Sequence, residues 1–178
     1  MSSFLNNLKQ DGSKDYYMKL YLAGGLFNAG ERLHNLYLEK HLIALGHEVI
    51  LPQREALKFF TGSSFDTAGI VNDCKNACCD AENLYVGSAD GADADSGTAV
   101  EYGIAITATG HAVVYRSDYR TAPDRELGLN AMLTGDGTSF IYDPCFFTEL
   151  SEVDSYYANL AQKIHQAVQK IEQEIISA

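Results

Sequence analysis

Residues 18–51 read MKLYLAGGLFNAGERLHNLYLEKHLIALGHEVIL, and the pattern changes twice along this stretch. It begins with a short apolar run that ends at a Gly-Gly pair, as is typical of a buried strand followed by a tight turn. Helical periodicity follows over residues 29–45, and Gly46 stands where helix C-termini favour glycine. The leucines expected on related faces of this helix are Leu33, Leu36, Leu42 and Leu45. A second apolar run ends before Pro52, so the stretch predicts a strand, a helix and a second strand.

The same alternation continues along the rest of the chain. Further strands are predicted at 83–87, 112–115 and 140–142, and further helices at 65–80, 98–107 and 155–176. Asp66 is the expected N-cap of the helix at 65–80. The last helix carries its apolar residues on one face: Leu160, Ile164, Val168, Ile171 and Ile175. We therefore predict an α/β fold, a single doubly wound, flavodoxin-like domain over residues 18–178 with about five mostly parallel strands and helices on both faces.

Composition and charge narrow the class of partner. The chain has 13 Lys+Arg against 24 Asp+Glu, a formal charge of −11, so its surface would repel a nucleic acid polymer. No stretch approaches the roughly 18 apolar residues that a membrane span needs. Residues 1–17 lack the pattern of a secretory signal and are expected to form a flexible polar extension. We expect a cytoplasmic protein whose ligand is small.

The usual cofactor signatures are missing from the sequence. Neither G-x-G-x-x-G after the first strand nor a P-loop motif occurs. Cys74 and Cys78 have i, i+4 spacing, but no histidine or second cysteine pair stands nearby to complete a zinc site. The cysteines are therefore interpreted as reduced structural residues, and neither a metal nor another cofactor is expected.

Residues 90–103 concentrate acidic and small residues at the end of a predicted strand. The aspartates fail the spacing of an EF-hand loop, because the glycine and glutamate positions do not fall in register. Asp95 or Ser96 is expected to cap the next helix. Capping does not account for Glu101, which would lie near the carboxyl edge of the sheet, where open α/β sheets bind ligands. Alone, this glutamate remains open to a structural interpretation.

Three motifs together resemble the nucleoside 2-deoxyribosyltransferase family. They are Y-L-A-G-x-L-F-N at residues 21–28, L-P-Q at 51–53, and D-x-G-T-A-x-E-x-G-x-A at 95–105. The resemblance runs from about Leu20 to Met132, with the motifs in the family's order. The long C-terminal helix and the N-terminal extension lack a counterpart in that pattern.

The resemblance implies a role for each matching residue. Glu101 matches the nucleophile, Tyr21 the tyrosine that orients it, and Asp73 the acid that handles the proton of the base. The positions matching substrate-binding residues are Asp95 for the sugar hydroxyls, Gln53 and Phe27 for the base, Gly24 for close backbone approach, and Asn130 and Met132 from a neighbouring subunit. The resemblance thus implies a cofactor-free homo-oligomer that acts on 2-deoxynucleosides and free bases in nucleotide salvage.

The chemistry implied is a retaining double displacement through a glutamyl-deoxyribose intermediate, with hydrolysis as a side reaction. One alternative is a 2-deoxynucleoside 5-monophosphate N-glycosidase, for which Ser96-Gly97-Thr98 would offer part of a phosphate cradle. The acidic loop opposes that alternative because it would repel a dianion. Another alternative is a non-catalytic nucleoside- or nucleotide-sensing module on the same fold.

Overall fold

A computed structural model describes residues 18–120 and 128–177. Five parallel strands form one sheet in the order β2-β1-β3-β4-β5, which is that of flavodoxin-like folds and agrees with the fold class predicted from the sequence. The strands are β1 (Lys19–Ala23), β2 (Val49–Ile50), β3 (Asn83–Ser88), β4 (Ala112–Arg116) and β5 (Thr138–Tyr142). The helices are α1 (Ala29–Ala44), α2 (Pro52–Glu55), α3 (Thr67–Cys79), α4 (Ser96–Thr109) and α5 (Leu150–Ser177).

The helices cover both faces of the sheet. Side chains alternate along each strand, so Leu20 and Leu22 point to one face while Tyr21 and Ala23 point to the other. Helices α1 and α5 pack on the leucine side, and α3 and α4 pack on the tyrosine side. The doubly wound prediction is therefore confirmed.

The buried face of α1 differs from the one expected. Leu33 and Leu36 are about half exposed. Leu42 is buried as expected, but the other buried residues of the helix are Asn35, Leu38 and Glu39. Leucines occur all round this helix, so periodicity does not select a face. Polar contacts help to fix the buried face, since Arg54 donates two hydrogen bonds of 2.6 Å to the carboxylate of Glu39.

Several helix boundaries depend on local hydrogen bonds. Asp66 caps α3 as expected, with its carboxylate accepting from the backbone of Gly69 at 3.0 Å. Helix α5 begins at Leu150, earlier than expected, because Glu152 accepts hydrogen bonds from the backbone N–H groups of Thr148 and Glu149. Leu150 is 92% exposed, so the first turn lacks an apolar signal.

Short elements escaped the sequence analysis. Pro52 begins α2 instead of simply ending the strand, since proline suits the first position of a helix. Two 3₁₀ turns, Ala56–Phe59 and Ala131–Thr134, were also not predicted. The expected extension, residues 1–17, lies outside the described residues. Among the helices described, none is long and apolar enough to cross a membrane.

Candidate active site

A cavity of about 540 Å³ opens beyond the carboxyl ends of β1 and β2, beside α3 and the first turns of α4. This is the edge at which open α/β sheets bind ligands. Seven of the nine site residues predicted from the sequence line this cavity: Tyr21, Gly24, Phe27, Gln53, Asp73, Asp95 and Glu101. Residues far apart in the chain therefore converge on one site.

Glu101 and Tyr21 form a polar contact in the lining of this cavity. The Tyr21 hydroxyl donates a hydrogen bond of 2.8 Å to Glu101 Oε1. Burial raises the pKa of the Glu101 carboxyl, the hydrogen bond from Tyr21 opposes that rise, and the charge of Asp95 adds to it. Burial, followed by the charge of Glu101, raises the pKa of Tyr21 far above its usual value. Tyr21 therefore stays protonated and remains a donor to the carboxylate.

A second buried tyrosine supports this pair, and sequence reasoning missed it. The Tyr85 ring stacks on Tyr21 with 6.4 Å between centroids, and its hydroxyl donates to the Thr98 carbonyl at 2.8 Å. Gly87 lies directly under the Tyr85 ring, so any side chain at position 87 would displace that tyrosine. Tyr85 thus ties the position of Tyr21 to the first turn of α4.

Asp95 combines the two roles considered for it. Its Oδ1 accepts a hydrogen bond of 3.1 Å from the Thr98 backbone N–H, which makes Asp95, not Ser96, the N-cap of α4. The same side chain lines the cavity. The cap fixes the Asp95 carboxylate at the N-terminus of α4, six residues before Glu101.

One wall of the cavity is apolar and mostly aromatic. Phe27 contributes to it with a side chain that is 79% exposed. The other members were not predicted: Leu57, Phe59, Phe65 and Ile70. The phenylalanines between residues 59 and 65 fall outside any regular periodicity, which is why the sequence did not reveal their role. A cavity that combines apolar, mostly aromatic side chains with carboxylates suits a planar heteroaromatic ring attached to a hydroxylated group.

The family model for nucleoside 2-deoxyribosyltransferases matches residues 20–132. The chain belongs to the nucleoside 2-deoxyribosyltransferase family. This confirms the resemblance found in the sequence, and the membership supports deoxyribosyltransferase-type activity. No curated protein matches the sequence.

Two solved structures share the fold. A conserved protein from Enterococcus faecalis V583 superposes with a TM-score of 0.60 at 22% identity, covering 84% of this chain and 98% of the other. A 2-deoxyribosyltransferase from Bacillus psychrosaccharolyticus superposes with a TM-score of 0.51 at 23% identity, covering 80% of this chain and 95% of the other. At these identities the likeness concerns the fold alone.

Asp73 and its neighbour Cys74 line the same cavity from α3. Asp73 is exposed to solvent there. Burial raises the pKa of the Cys74 thiol, which interacts with both Tyr21 and Glu101. The interpretation of Cys74 as a purely structural cysteine therefore missed its place beside the family's predicted nucleophile.

Asn130 and Met132 do not join the other seven predicted residues within one chain. They line a separate cavity of about 580 Å³ on the far side of α4, together with Tyr102 and Gly103. Asn130 Oδ1 accepts a hydrogen bond of 3.0 Å from the Met132 N–H, and the Met132 side chain is 79% exposed. A contribution of these two residues to a neighbouring subunit, as the family pattern implies, remains a prediction.

An acidic cavity of about 670 Å³ adjoins the cavity that contains Glu101 and shares Asp95 with it. The Asp90 carboxylate there accepts hydrogen bonds from the backbone N–H groups of Ser117 and Asp118, at 2.6 and 2.8 Å. The side chain of Arg120 pairs with Asp118 and holds the pKa of that carboxyl well below its usual value. The two loops beyond β3 and β4 are thus fastened to each other beside Asp95.

Proposed function

We propose that the chain exchanges the base of 2-deoxynucleosides by a double displacement at Glu101. The observation that carries this proposal is the 2.8 Å hydrogen bond from Tyr21 to Glu101 in a cavity with an aromatic wall. The phenol holds one carboxylate oxygen, so the carboxylate is oriented before substrate binds. An oriented anion stabilises the positive charge that develops at the anomeric carbon when a glycosidic bond breaks.

In the first displacement, a carboxylate oxygen of Glu101 attacks C1′ of the deoxyribose. The C1′–N bond breaks, and its electron pair leaves with the base. Asp73 donates the proton that neutralises the departing base. The product is a free base and a deoxyribosyl ester of Glu101.

In the second displacement, a ring nitrogen of another base attacks C1′ of this ester. The C1′–O bond breaks and regenerates the Glu101 carboxylate, while Asp73 accepts the proton that the incoming base loses. Water in place of the base gives hydrolysis as a side reaction. Two inversions at C1′ retain the configuration of the sugar.

In this proposal each part of the substrate contacts a different part of the cavity lining. The planar base lies against Phe27 and the aromatic wall, with the amide of Gln53 at its edge. Asp95 accepts a hydrogen bond from a sugar hydroxyl, since only its Oδ1 is occupied by the helix cap. Gly24 leaves room for the sugar to approach the backbone. Asn130 and Met132 complete the site of a neighbouring subunit in a homo-oligomer.

Hydrolysis of a 5-monophosphate fits this site less well. The Thr98 N–H, expected to cradle a phosphate, instead donates to Asp95. Glu31, Asp90 and Asp93 line the adjoining cavity, and their charges would repel a phosphate dianion. A sensing module would bind nucleosides without needing the Tyr21–Glu101 pair.

The test is an exchange reaction with 2-deoxyinosine and free adenine, with all bases and nucleosides separated by chromatography. The expected result is 2-deoxyadenosine together with free hypoxanthine. Release of hypoxanthine without formation of a new nucleoside would show that the protein hydrolyses the nucleoside and does not transfer its sugar. Turnover of 2-deoxyinosine monophosphate alone would favour the N-glycosidase, and binding without any turnover would favour the sensor.

A further inference from the structure

Asn35 is a buried polar side chain on α1 that the function proposed above does not use. It is 3% exposed and lies on the buried face of α1, which helical periodicity alone does not identify. Its amide nitrogen donates two hydrogen bonds of 3.0 Å, one to the Gly25 carbonyl and one to Gln53 Oε1. Both N–H groups of Asn35 are therefore in use, and one of them reaches a residue that lines the cavity.

The direction of this hydrogen-bond chain is fixed by its two ends. One end is the Gly25 carbonyl, and the other is the Arg32 carbonyl, which accepts from Gln53 Nε2 at 3.2 Å. Backbone carbonyls only accept, so both amides must present nitrogen to them. Turning either amide over would bring oxygen against oxygen at a buried position, which is costly. Asn35 therefore holds the Gln53 carbonyl away from Arg32.

Gln53 and Arg32 both line the cavity, so we take the nitrogen end of Gln53, which bonds to the Arg32 carbonyl, as the end nearer the cavity. Arg32, which accepts from that nitrogen, lines the cavity beside Gln53 and Glu101, whereas Asn35 lines the adjoining acidic cavity. Gln53 Nε2 carries two N–H groups, and one of them donates to Arg32. Among residues 18–120 and 128–177 the second N–H has no hydrogen-bond acceptor, and we assign it to a ligand.

Gln53 and Glu101 reach the cavity from strands that are not neighbours in the sheet. Gln53 follows β2, and Glu101 lies on α4, which follows β3. These strands are two positions apart in the sheet, a separation of roughly 10 Å. A base bonded to sugar at the Glu101 end presents its opposite edge, which bears the exocyclic oxygen or amino group, toward Gln53.

We propose that Asn35 is a positioning residue that fixes Gln53 as a hydrogen-bond donor to the base, so that the site selects bases with an exocyclic oxygen. These are the 6-oxopurines and 4-oxopyrimidines, in preference to their amino counterparts. An amino group at that edge would set donor against donor and leave the Gln53 N–H unpaired. This inference rests on the base-exchange function proposed above.

The test compares hypoxanthine with adenine, which differ at the exocyclic position. Both the dissociation constants of the free bases and kcat/KM as acceptors are measured. Wild-type protein is expected to favour hypoxanthine by roughly tenfold. The variant Asn35→Asp has the same shape but no donors, so the hypoxanthine-to-adenine ratio should fall toward one. A wild-type ratio of one or less, or a ratio unchanged in Asn35→Asp, would overturn the inference.

The matched control is Asn83→Asp. Asn83 is also buried, and its amide donates to the Ala77 carbonyl at 2.9 Å, at the start of β3 and away from the cavity. This variant should lose comparable stability and keep the wild-type ratio. A ratio that falls equally in both variants would assign the effect to loss of stability, and the positioning role of Asn35 would be wrong.

A second variant covers the case in which Asn35→Asp does not fold. Gln53→Glu replaces the donor by an acceptor and should reverse the preference in favour of adenine. An unchanged preference in Gln53→Glu would overturn the inference independently of Asn35.

If the wild-type protein binds both bases but exchanges neither, the function proposed above fails, and the ratio of dissociation constants still tests Asn35. Binding of neither base would overturn both.

Discussion

The two faces of the sheet share the same strands but bury different chemistry. On the face covered by α1 and α5, the buried core is mostly aliphatic, with Leu20, Leu22 and Ile164 among its members. On the face covered by α3 and α4, the core includes three tyrosines and a cysteine: Tyr21, Tyr85, Tyr102 and Cys78. The cavity with Glu101 opens on this second face.

Buried tyrosine hydroxyl groups have different hydrogen-bond partners on the two faces. On the α1/α5 face, the hydroxyls of Tyr115 and Tyr157 bond to the two ring nitrogens of His34, at 2.9 and 3.0 Å. Burial lowers the pKa of His34, so this cluster is neutral. On the α3/α4 face, the Tyr21 hydroxyl donates its hydrogen bond to the carboxylate of Glu101.

Within one domain, the α1/α5 face therefore mainly stabilises the fold, whereas the α3/α4 face carries the groups proposed to react. A carboxylate in a partly buried place costs solvation free energy, and that cost is tolerated where the charge faces a substrate. The opposite face supplies mostly apolar burial, and the carboxylate buried on α1, Glu39, is neutralised by Arg54 instead of facing a cavity. Substitutions on the two faces should therefore affect different measurements.

The largest expected effect is loss of activity in Glu101→Ala. Removing the proposed nucleophile should lower kcat for base exchange by roughly 10⁴-fold or more. Because the charged form of Glu101 is disfavoured by burial, thermal stability should not fall. The measurement is the exchange rate beside a melting curve, with Glu174→Ala on the exposed end of α5 as the control. Exchange within tenfold of wild type would refute the mechanism.

On the other face, Leu160→Ala should lower the free energy of unfolding by about 2–5 kcal/mol. Leu160 is fully buried against the sheet, so its truncation leaves a cavity in the aliphatic core. Denaturant unfolding measures the loss, and exchange per folded molecule should match wild type. Leu150→Ala, at a position 92% exposed on the same helix, should change neither quantity. A large fall in kcat at full folding would mean that the two faces are coupled.

Tyr21→Phe should lower kcat for exchange by roughly 10–100-fold, because it removes one hydrogen bond to a charged group. The matched control is Tyr156→Phe, which removes a 2.8 Å hydrogen bond to the Asp143 carbonyl and leaves the active face unchanged. Both variants should lose similar stability in a melting curve. Equal kcat values for the two variants would contradict an orienting role for Tyr21.

The smallest effect concerns pH. Burial raises the pKa of Glu101, so the acidic limb of the exchange profile should lie above the usual range of a glutamate. Activity should fall as pH decreases through that pKa, because the nucleophile must be ionised. Tyr21→Phe removes a hydrogen bond that lowers this pKa, so its limb should move to higher pH. A limb that stays in place would show that another group controls it.

The sequence was most informative about features that depend on local pattern or on single residues. Apolar runs and helical periodicity predicted every strand and all the longer helices. The resemblance to the nucleoside 2-deoxyribosyltransferase family implied the seven residues that line one cavity. Helical periodicity did not identify the buried face of α1, because leucines occur on all sides of that helix. It also missed α2 and the 3₁₀ turns, which are too short to have a period.

What the sequence by itself determined was the order of elements, the fold class and the family, because these follow from residue types and spacing along the chain. Only the tertiary structure decided which face of α1 is buried, and hence that Asn35 meets Gln53. It also decided that Tyr85 supports Tyr21 and that Phe59 and Phe65 form the aromatic wall. The physical reason is that burial and hydrogen bonding depend on partners distant in the chain, and those partners meet only after the sheet has formed.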